Sequence, residues 1–466
     1  MADICIVYAS EDHAIAEKLH GLLSQQWDIW WDDKIVGRFR QAIEREIPKA
    51  GCIVAIFSVS SRNKDTFTEE LSFGQKHNIE ILPVRIDGSD PPYPFGAYSY
   101  TEVQDWKGEP DHRGFMQLKR RIAEAVPPKA KPHRPTTIAH GKVPLPTVFM
   151  SISSYETQLK PDEALKALRV IGTPAILISA YDLVSRRNPQ AILDELHKYR
   201  ENGGFVLIDS GNYEKSRLGS KRWESADLKE VLARTPHDWA FCFDVMKPKH
   251  NPDRAVEEVI QGFERDRTYS SAPVLPIVHA PKSNQGVYCL GHVPRIIREI
   301  SEKLEPPLIA IPERELGAGL IARAKTVQTI REELNKLPFY QPIHILGTGN
   351  PLSIAVLAAA GADTFDGLEW CRMAVDRGSG RLHHFQHFDF FSWQTLAESS
   401  IAREALEDPA IDFAGKVAFH NLDYFANFLK EMLEAIVEGN MYGFVVGLTG
   451  KDTTNQLKQQ VPGLFK

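Results

Sequence analysis

Short apolar runs alternate with longer amphipathic stretches along the whole chain. In the first 126 residues the apolar runs are "DICIVYA", "WDIWW", "GCIVAIFS" and "IEILPVRI". Between them lie "DHAIAEKLHGLLSQ", "RFRQAIEREIPK" and "TFTEELSFGQKH". Strand-length runs that are apolar on both faces and separated by helix-length segments predict an open parallel sheet with helices on both sides. From residue 147 the alternation restarts and recurs eight times: "TVFMSIS", "PAILISA", "GFVLIDS", "DWAFCFD", "PVLPIVH", "PLIAI", "PIHILG" and "DTFDGL". Eight βα units in succession predict a closed (β/α)8 barrel, a TIM barrel. The chain is α/β throughout, and a helical extension follows the last strand.

The stretch 127–146, "PPKAKPHRPTTIAHGKVPLP", is proline-rich, has four basic residues and no acid, and breaks the pattern. It predicts an extended basic linker between a domain over 1–126 and a second over 147–466. A chain of 466 residues exceeds what one core usually supports, which agrees with such a division. The charge balance changes the picture little. Residues 1–126 hold 15 basic and 20 acidic side chains and the whole chain carries a formal charge of −6, so neither advertises nucleic-acid binding. The five cysteines form no CxxC pair and mostly sit in apolar runs, which favours reduced thiols in a cytoplasmic protein. No signal-peptide pattern opens the sequence, and no apolar run reaches the roughly 18 residues of a membrane span.

Carboxylates fall at significant places. Asp209 ends the third barrel strand, Asp244 the fourth and Asp366 the eighth, so all three are expected at the C-terminal mouth where barrel chemistry is done. An aspartate there can also cap the next helix. Three converging on one mouth favour a chemical site.

The segments "DICIVYASED", "IWWDDKIVGRFRQAIEREIPKAGCIVAIFSVSS", "TFTEELSFG" and "ILPVRID" resemble, in order, a Toll/interleukin receptor (TIR) domain of the bacterial type. The resemblance implies a flavodoxin-like sheet and either self-association or cleavage of NAD at the nicotinamide–ribose bond. It assigns the catalytic glutamate to Glu70, the acid preceding an aliphatic residue in "EEL", since a fixed anion beside the ribose favours a transition state that gathers positive charge. It also implies NAD contacts from Tyr8, Ser10, Trp31, Asp33, Arg38 and Phe39. The family's tryptophan is replaced by Thr66.

"FVLIDSGNYE", "FCFDVM", "PIVHAP", "HILGTGNP", "GADTFDGLEW" and "FHNLDYFANFLKEMLEAIVEGNM" are similar to the successive landmarks of tRNA-guanine transglycosylases. That resemblance implies Asp366 as the nucleophile on C1′, Asp209 as the acid/base for the departing and incoming base, and Asp244 as the reader of the base edge. His279 stands for the family's glutamine, Pro312 and Glu313 for its glycine pair, and Arg372 lies in the loop after the nucleophile. That loop looks closer to members that act on DNA. Of the family's zinc site His420 survives without its three cysteines, and His383, His384 and His387 have no acidic or thiol company, so no zinc or other structural cofactor is expected.

Together the resemblances imply an NAD-cleaving TIR effector of antiphage defence, oligomeric through its TIR domains, with NAD as substrate. A barrel that recognises DNA, tRNA or a free deazaguanine-type base would regulate it. The alternative is an active base-exchange barrel with the TIR unit as an assembly module.

Overall fold

A computed structural model describes residues 2–31, 44–110, 112–129, 133–155, 157–184, 189–213, 223–391 and 397–465. The chain forms two compact units, one of Met1–Pro135 with Asn335–Tyr340 and the other of Thr136–Leu334 with Gln341–Lys466.

The first unit contains five parallel strands, β1 (Ile4–Val7), β2 (Ile29–Trp31), β3 (Cys52–Phe57), β4 (Glu80–Arg85) and β5 (Thr101–Glu102), in the order β2-β1-β3-β4-β5. Every residue of β1 and β3 is buried, which is why these runs are apolar without alternation. Successive side chains point to opposite faces. Ile4 and Ile6 pack with Leu19 and Leu23 of the helix His13–Leu23 and with Phe115 and Leu118 of the helix Arg113–Ala125. Cys5 and Val7 pack on the other face with Phe67 and Leu71 of the helix Asp65–Lys76.

The second unit begins with an antiparallel hairpin, β6 (Thr137–Ile138) and β7 (Val143–Pro144). Ile138, Val143 and Leu145 join the core inside the barrel, among Phe149, Phe205, Trp239 and Phe241. Each large side chain fully buried there contributes about 1.5–3 kcal/mol of transfer free energy.

Eight parallel strands follow: β8 (Thr147–Ile152), β9 (Ala175–Ser179), β10 (Phe205–Asp209), β11 (Trp239–Phe241), β12 (Val274–Leu275), β13 (Ile309–Pro312), β14 (Ile343–Leu346) and β15 (Thr364–Gly367). They are hydrogen-bonded in the order β12-β11-β10-β9-β8-β15-β14-β13, and a parallel bridge from Ile277 to Ala310 joins the two ends. The eight strands are the eight apolar runs expected from the sequence, in a nearly closed barrel.

After β15 come the hairpin β16 (Met373–Asp376) and β17 (Arg381–His384) and the helices Phe413–Val437, Met441–Thr449 and Lys451–Gln460. Among the described residues no helix is long and apolar enough to cross a membrane.

Candidate functional site

The period-2 alternation of the barrel strands decides what reaches the mouth. Phe149, Leu177 and Leu207 face the interior, and two residues further along the same faces stand Ser151, Ser179 and Asp209. His279, Pro312, Leu346 and Asp366 complete this layer, which lines a cavity of about 430 Å³ at the C-terminal face. Asp209, Asp244, His279, Asp366 and Arg372 all line it, so the five barrel residues selected from the sequence are brought together.

Asp366 is buried and held by three donors. Ser151 Oγ donates to Oδ2 at 2.8 Å, the Gly347 N–H donates to Oδ1 at 2.7 Å, and His344 Nε2 lies 3.3 Å from Oδ1. The Gly347 donor depends on the turn after β14, where Gly347 takes φ +76°, a conformation costly for other residues. Asn350 then caps the helix Pro351–Ala359, its side chain accepting from the Leu352 and Ser353 amides. The glycine turn and cap of "LGTGNP" thus aim one backbone N–H at the carboxylate.

Asp209 is half-buried and accepts from the Gly211 N–H at 3.2 Å. Asp244 is buried. Its Oδ1 accepts from Ser210 Oγ at 2.7 Å and its Oδ2 lies 2.7 Å from His279 Nε2. The other ring nitrogen of His279 is 3.0 Å from Glu315 Oε1, while Glu315 Oε2 accepts from the Ala280 N–H. Burial alone would depress the His279 pKa, but the hydrogen bonds and charges of Asp244 and Glu315 outweigh it and push it up to about 9. Burial likewise opposes ionisation of Asp244; His279 and the Ser210 hydroxyl outweigh that and hold its carboxyl below the usual value. The result is a buried imidazolium between two carboxylates, with both N–H groups committed. At the position where the transglycosylase resemblance expects a glutamine of the base pocket, His279 has both ring nitrogens engaged by Asp244 and Glu315.

Sequence reasoning missed Ser151, Ser210, Glu315 and His344, which hold the carboxylates from behind. His344 was legible in part, since it shares the inward parity of Leu346 on β14 and is fully buried. Glu315 gave no periodic signal, because it sits on the one-turn helix Glu313–Glu315.

Among the described residues no group of three or more His, Cys, Asp or Glu side chains is arranged to hold a metal ion. The donor set around His420 does not suit zinc. Its Nε2 is engaged by the Val375 carbonyl at 2.8 Å, Phe388 packs edge-on to its ring, and its buried Nδ1, without a hydrogen-bond partner among the described residues, belongs to no group of three His, Cys, Asp or Glu side chains. Burial pushes its pKa down to about 4.

In the first unit Glu70 lies on the helix Asp65–Lys76, half-buried, close enough to Cys5 for its charge to act on the thiol. Phe67, on the same helix, points into the core against Phe57. Ser10 accepts from Lys64 Nζ at 2.8 Å, just before that helix. Trp31 stacks on His20 at 4.8 Å and stands 6.0 Å from Tyr8. Tyr8 and Trp31 pack with the His13–Leu23 side of the sheet, the face opposite the one covered by the helix of Glu70. Asp33, Arg38 and Phe39 lie outside the described residues.

Residues 4–119 match the family model described as "TIR domain". The rest of the chain is similar to archaeal proteins named tRNA-guanine(15) transglycosylase. The one from Picrophilus torridus is 22% identical over 321 residues, covering 66% of this chain and 48% of that protein. The Pyrococcus abyssi protein is 22% identical over 319 residues, covering 65% and 52%, and the Aeropyrum pernix protein 22% over 322 residues, covering 65% and 59%. The chain spans about half the length of these curated relatives.

Proposed function

We propose that in this chain, which joins a TIR domain to a transglycosylase-like barrel, the barrel binds a guanine-type base, free or within DNA or tRNA, and so governs cleavage of NAD by the TIR domain. Such coupling suits a cytoplasmic antiphage effector, in which detection of a foreign nucleic acid or base depletes NAD, and self-association of the TIR domains would complete the NAD site. The observation that carries the reading is the convergence of Asp209, Asp244 and Asp366 on one cavity of about 430 Å³, a size suited to a nucleobase with its sugar.

In the TIR domain, the Glu70 carboxylate stabilises the cationic ribose as the nicotinamide bond breaks; water, or the adenine of the same molecule, then captures C1′. In the barrel, Asp244 accepts from the N–H edge of the base. Nicotinamide release by the purified protein and by Glu70→Ala, with and without guanine, DNA or tRNA, tests the reading. Release that requires Glu70 and rises with one of these ligands is expected; equal release by both proteins defeats it.

A second reading makes the barrel itself the enzyme, with the TIR domain as an assembly module. It is favoured by the three donors that fix Asp366 at the cavity. An Asp366 oxygen would attack C1′, the C1′–N bond would break with its electron pair passing to the base, and Asp209 would give the base its proton. The incoming base would reverse these steps. Asp366→Asn should then abolish a covalent protein–nucleic acid adduct; no adduct from the unaltered protein with DNA or tRNA would reject this reading.

A further inference from the structure

The walls of the barrel cavity are ordered by charge. Asp209, Asp244 and Asp366 stand at or just beyond the ends of β10, β11 and β15, and the last two are buried. Arginines come from further along the chain: Arg314 from the one-turn helix after β13, Arg323 from the helix Leu320–Leu334, and Arg372 from the one-turn helix after β15. The acids form the floor and the guanidinium groups the rim.

Arg314 differs from the acids beside it in how its charge is met. Glu313 is paired with Arg323, whose Nη1 donates to Oε1 at 2.7 Å. Glu315 is engaged by His279 and by the Ala280 N–H. Arg314 Nε stands 3.8 Å from Glu315 Oε1, too far for a hydrogen bond. Its guanidinium carbon lies instead 4.5 Å from the centre of the Tyr213 ring, and both side chains line the cavity and are open to solvent. An aromatic ring beneath a guanidinium restrains the cation and leaves its planar fork of N–H donors available to an anion.

We propose that Arg314, held on Tyr213 at the rim, binds a phosphate attached to the sugar of the base, so that the cavity takes a nucleotide unit in preference to a free base. The base enters first, with its N–H edge toward the acids of the floor, and the phosphate stays outside opposite the guanidinium. The reverse orientation would bring the phosphate among carboxylates, where like charges repel. A phosphate offers two oxygens to the fork at once, which a free base does not.

The inference rests on the barrel cavity being a base site, and the choice of ligands separates the two ideas. Equilibrium dialysis of the full chain at low salt compares guanine, guanosine, guanosine 5′- and 3′-monophosphate, ribose 5-phosphate, and short single-stranded DNA and RNA containing one guanine. A phosphorylated guanine ligand should bind about ten- to a hundredfold more tightly than guanosine, the range of a hydrogen bond to a charged group. In R314Q that ratio should fall to about one. In R314K it should be intermediate, because lysine keeps the charge and loses the fork. Arg314 is exposed, so both variants should fold, which thermal melts check. Tighter binding of an oligonucleotide than of either mononucleotide identifies nucleic acid as the source of the phosphate; the opposite order identifies a free nucleotide. Equal binding of guanosine and every phosphorylated guanine ligand overturns the inference, as does a preference that R314Q retains. If ribose 5-phosphate binds through Arg314 while guanine and guanosine do not bind, the base-site reading falls and the phosphate site stands. Binding of none of these ligands overturns both.

Discussion

His344 stands directly behind Asp366, with Nε2 3.3 Å from Oδ1 and the ring fully buried between Phe149 and Phe241. Its other nitrogen meets Thr364 Oγ1 at 2.8 Å, so the imidazole is fixed from both ends. A carboxylate that must approach a sugar carbon in line profits from such fixing, because a displacement of about 1 Å in a reacting group can cost roughly a hundredfold in rate. His344→Phe preserves the packing and removes both polar contacts. The expected result is a fall of about ten- to a hundredfold in the single-turnover rate of adduct formation, with a loss of stability of about 1–3 kcal/mol from the orphaned Thr364 hydroxyl. An unchanged rate would show that Ser151 and Gly347 suffice.

The charged cluster Asp244–His279–Glu315 makes stability depend on pH. His279 is raised from 6.5 to about 9, so its contribution is complete below its unfolded value and fades as pH climbs through about 9. A shift of that size corresponds to about 3 kcal/mol between the two limits. Asp244, held below its ordinary value, acts at the other end: its contribution is present above the unfolded carboxyl value and is lost as pH falls through the folded one. Urea melts from neutral pH to about pH 9.5 should show declining stability in the unaltered protein and a flatter profile in His279→Gln. Parallel profiles would mean that the imidazole is neutral in the fold.

Gly211 follows Asp209 and Ser210 at the end of β10 with φ +74°. A Cβ there would lie 2.8 Å from Tyr181 atoms and 3.0 Å from the Trp223 indole nitrogen, which donates to the Ser210 carbonyl. Gly211→Ala should cost about 1–3 kcal/mol and displace Asp209. Differential scanning calorimetry checks the first, and loss of base binding beyond that explained by unfolding checks the second.

The surroundings of His420 predict indifference to chelators. With its Nε2 on a carbonyl and an aromatic ring against its face, prolonged treatment with a chelator should leave the Tm unchanged. Acid should act instead. A histidine whose pKa falls from 6.5 to about 4 on folding stabilises the fold fully above 6.5, and that contribution, about 3 kcal/mol, is lost as pH drops toward 4. His420→Phe should lessen this acid sensitivity in thermal melts; a Tm lowered by the chelator would contradict the assignment of the site as metal-free.

Trp31 and Glu70 are packed on opposite faces of the first sheet. Trp31→Ala should therefore act chiefly through lost stacking on His20 and lost burial, lowering stability by a few kcal/mol. Glu70→Ala should remove nicotinamide release in a protein that still unfolds cooperatively in a thermal melt. Should Trp31→Ala instead raise the KM for NAD with no change in Tm, the ring belongs to the substrate site.

The sequence by itself determined the two architectures and which acids would stand at the barrel mouth. Strands such as "CIVAIF" and "FVLID" are buried on both faces, so their apolar content is written locally, and a parity of two fixes which residues of each strand turn inward. Asp209 and Asp366 could be placed from that rule alone. Only the tertiary structure decided the company each acid keeps. His344 and Gly347, from β14 and the turn after it, and Ser151, from β8 more than 190 positions earlier in the chain by the difference of residue numbers, reach Asp366 together, and Glu315 meets His279 across a separation of 36 residues. The same holds for the faces of the first sheet, where packing directs Trp31 toward His20 rather than toward the helix of Glu70. Local pattern cannot encode such pairings, because they arise from barrel closure and sheet stacking, and the protonation states that govern the chemistry follow from the low-dielectric contacts this packing creates.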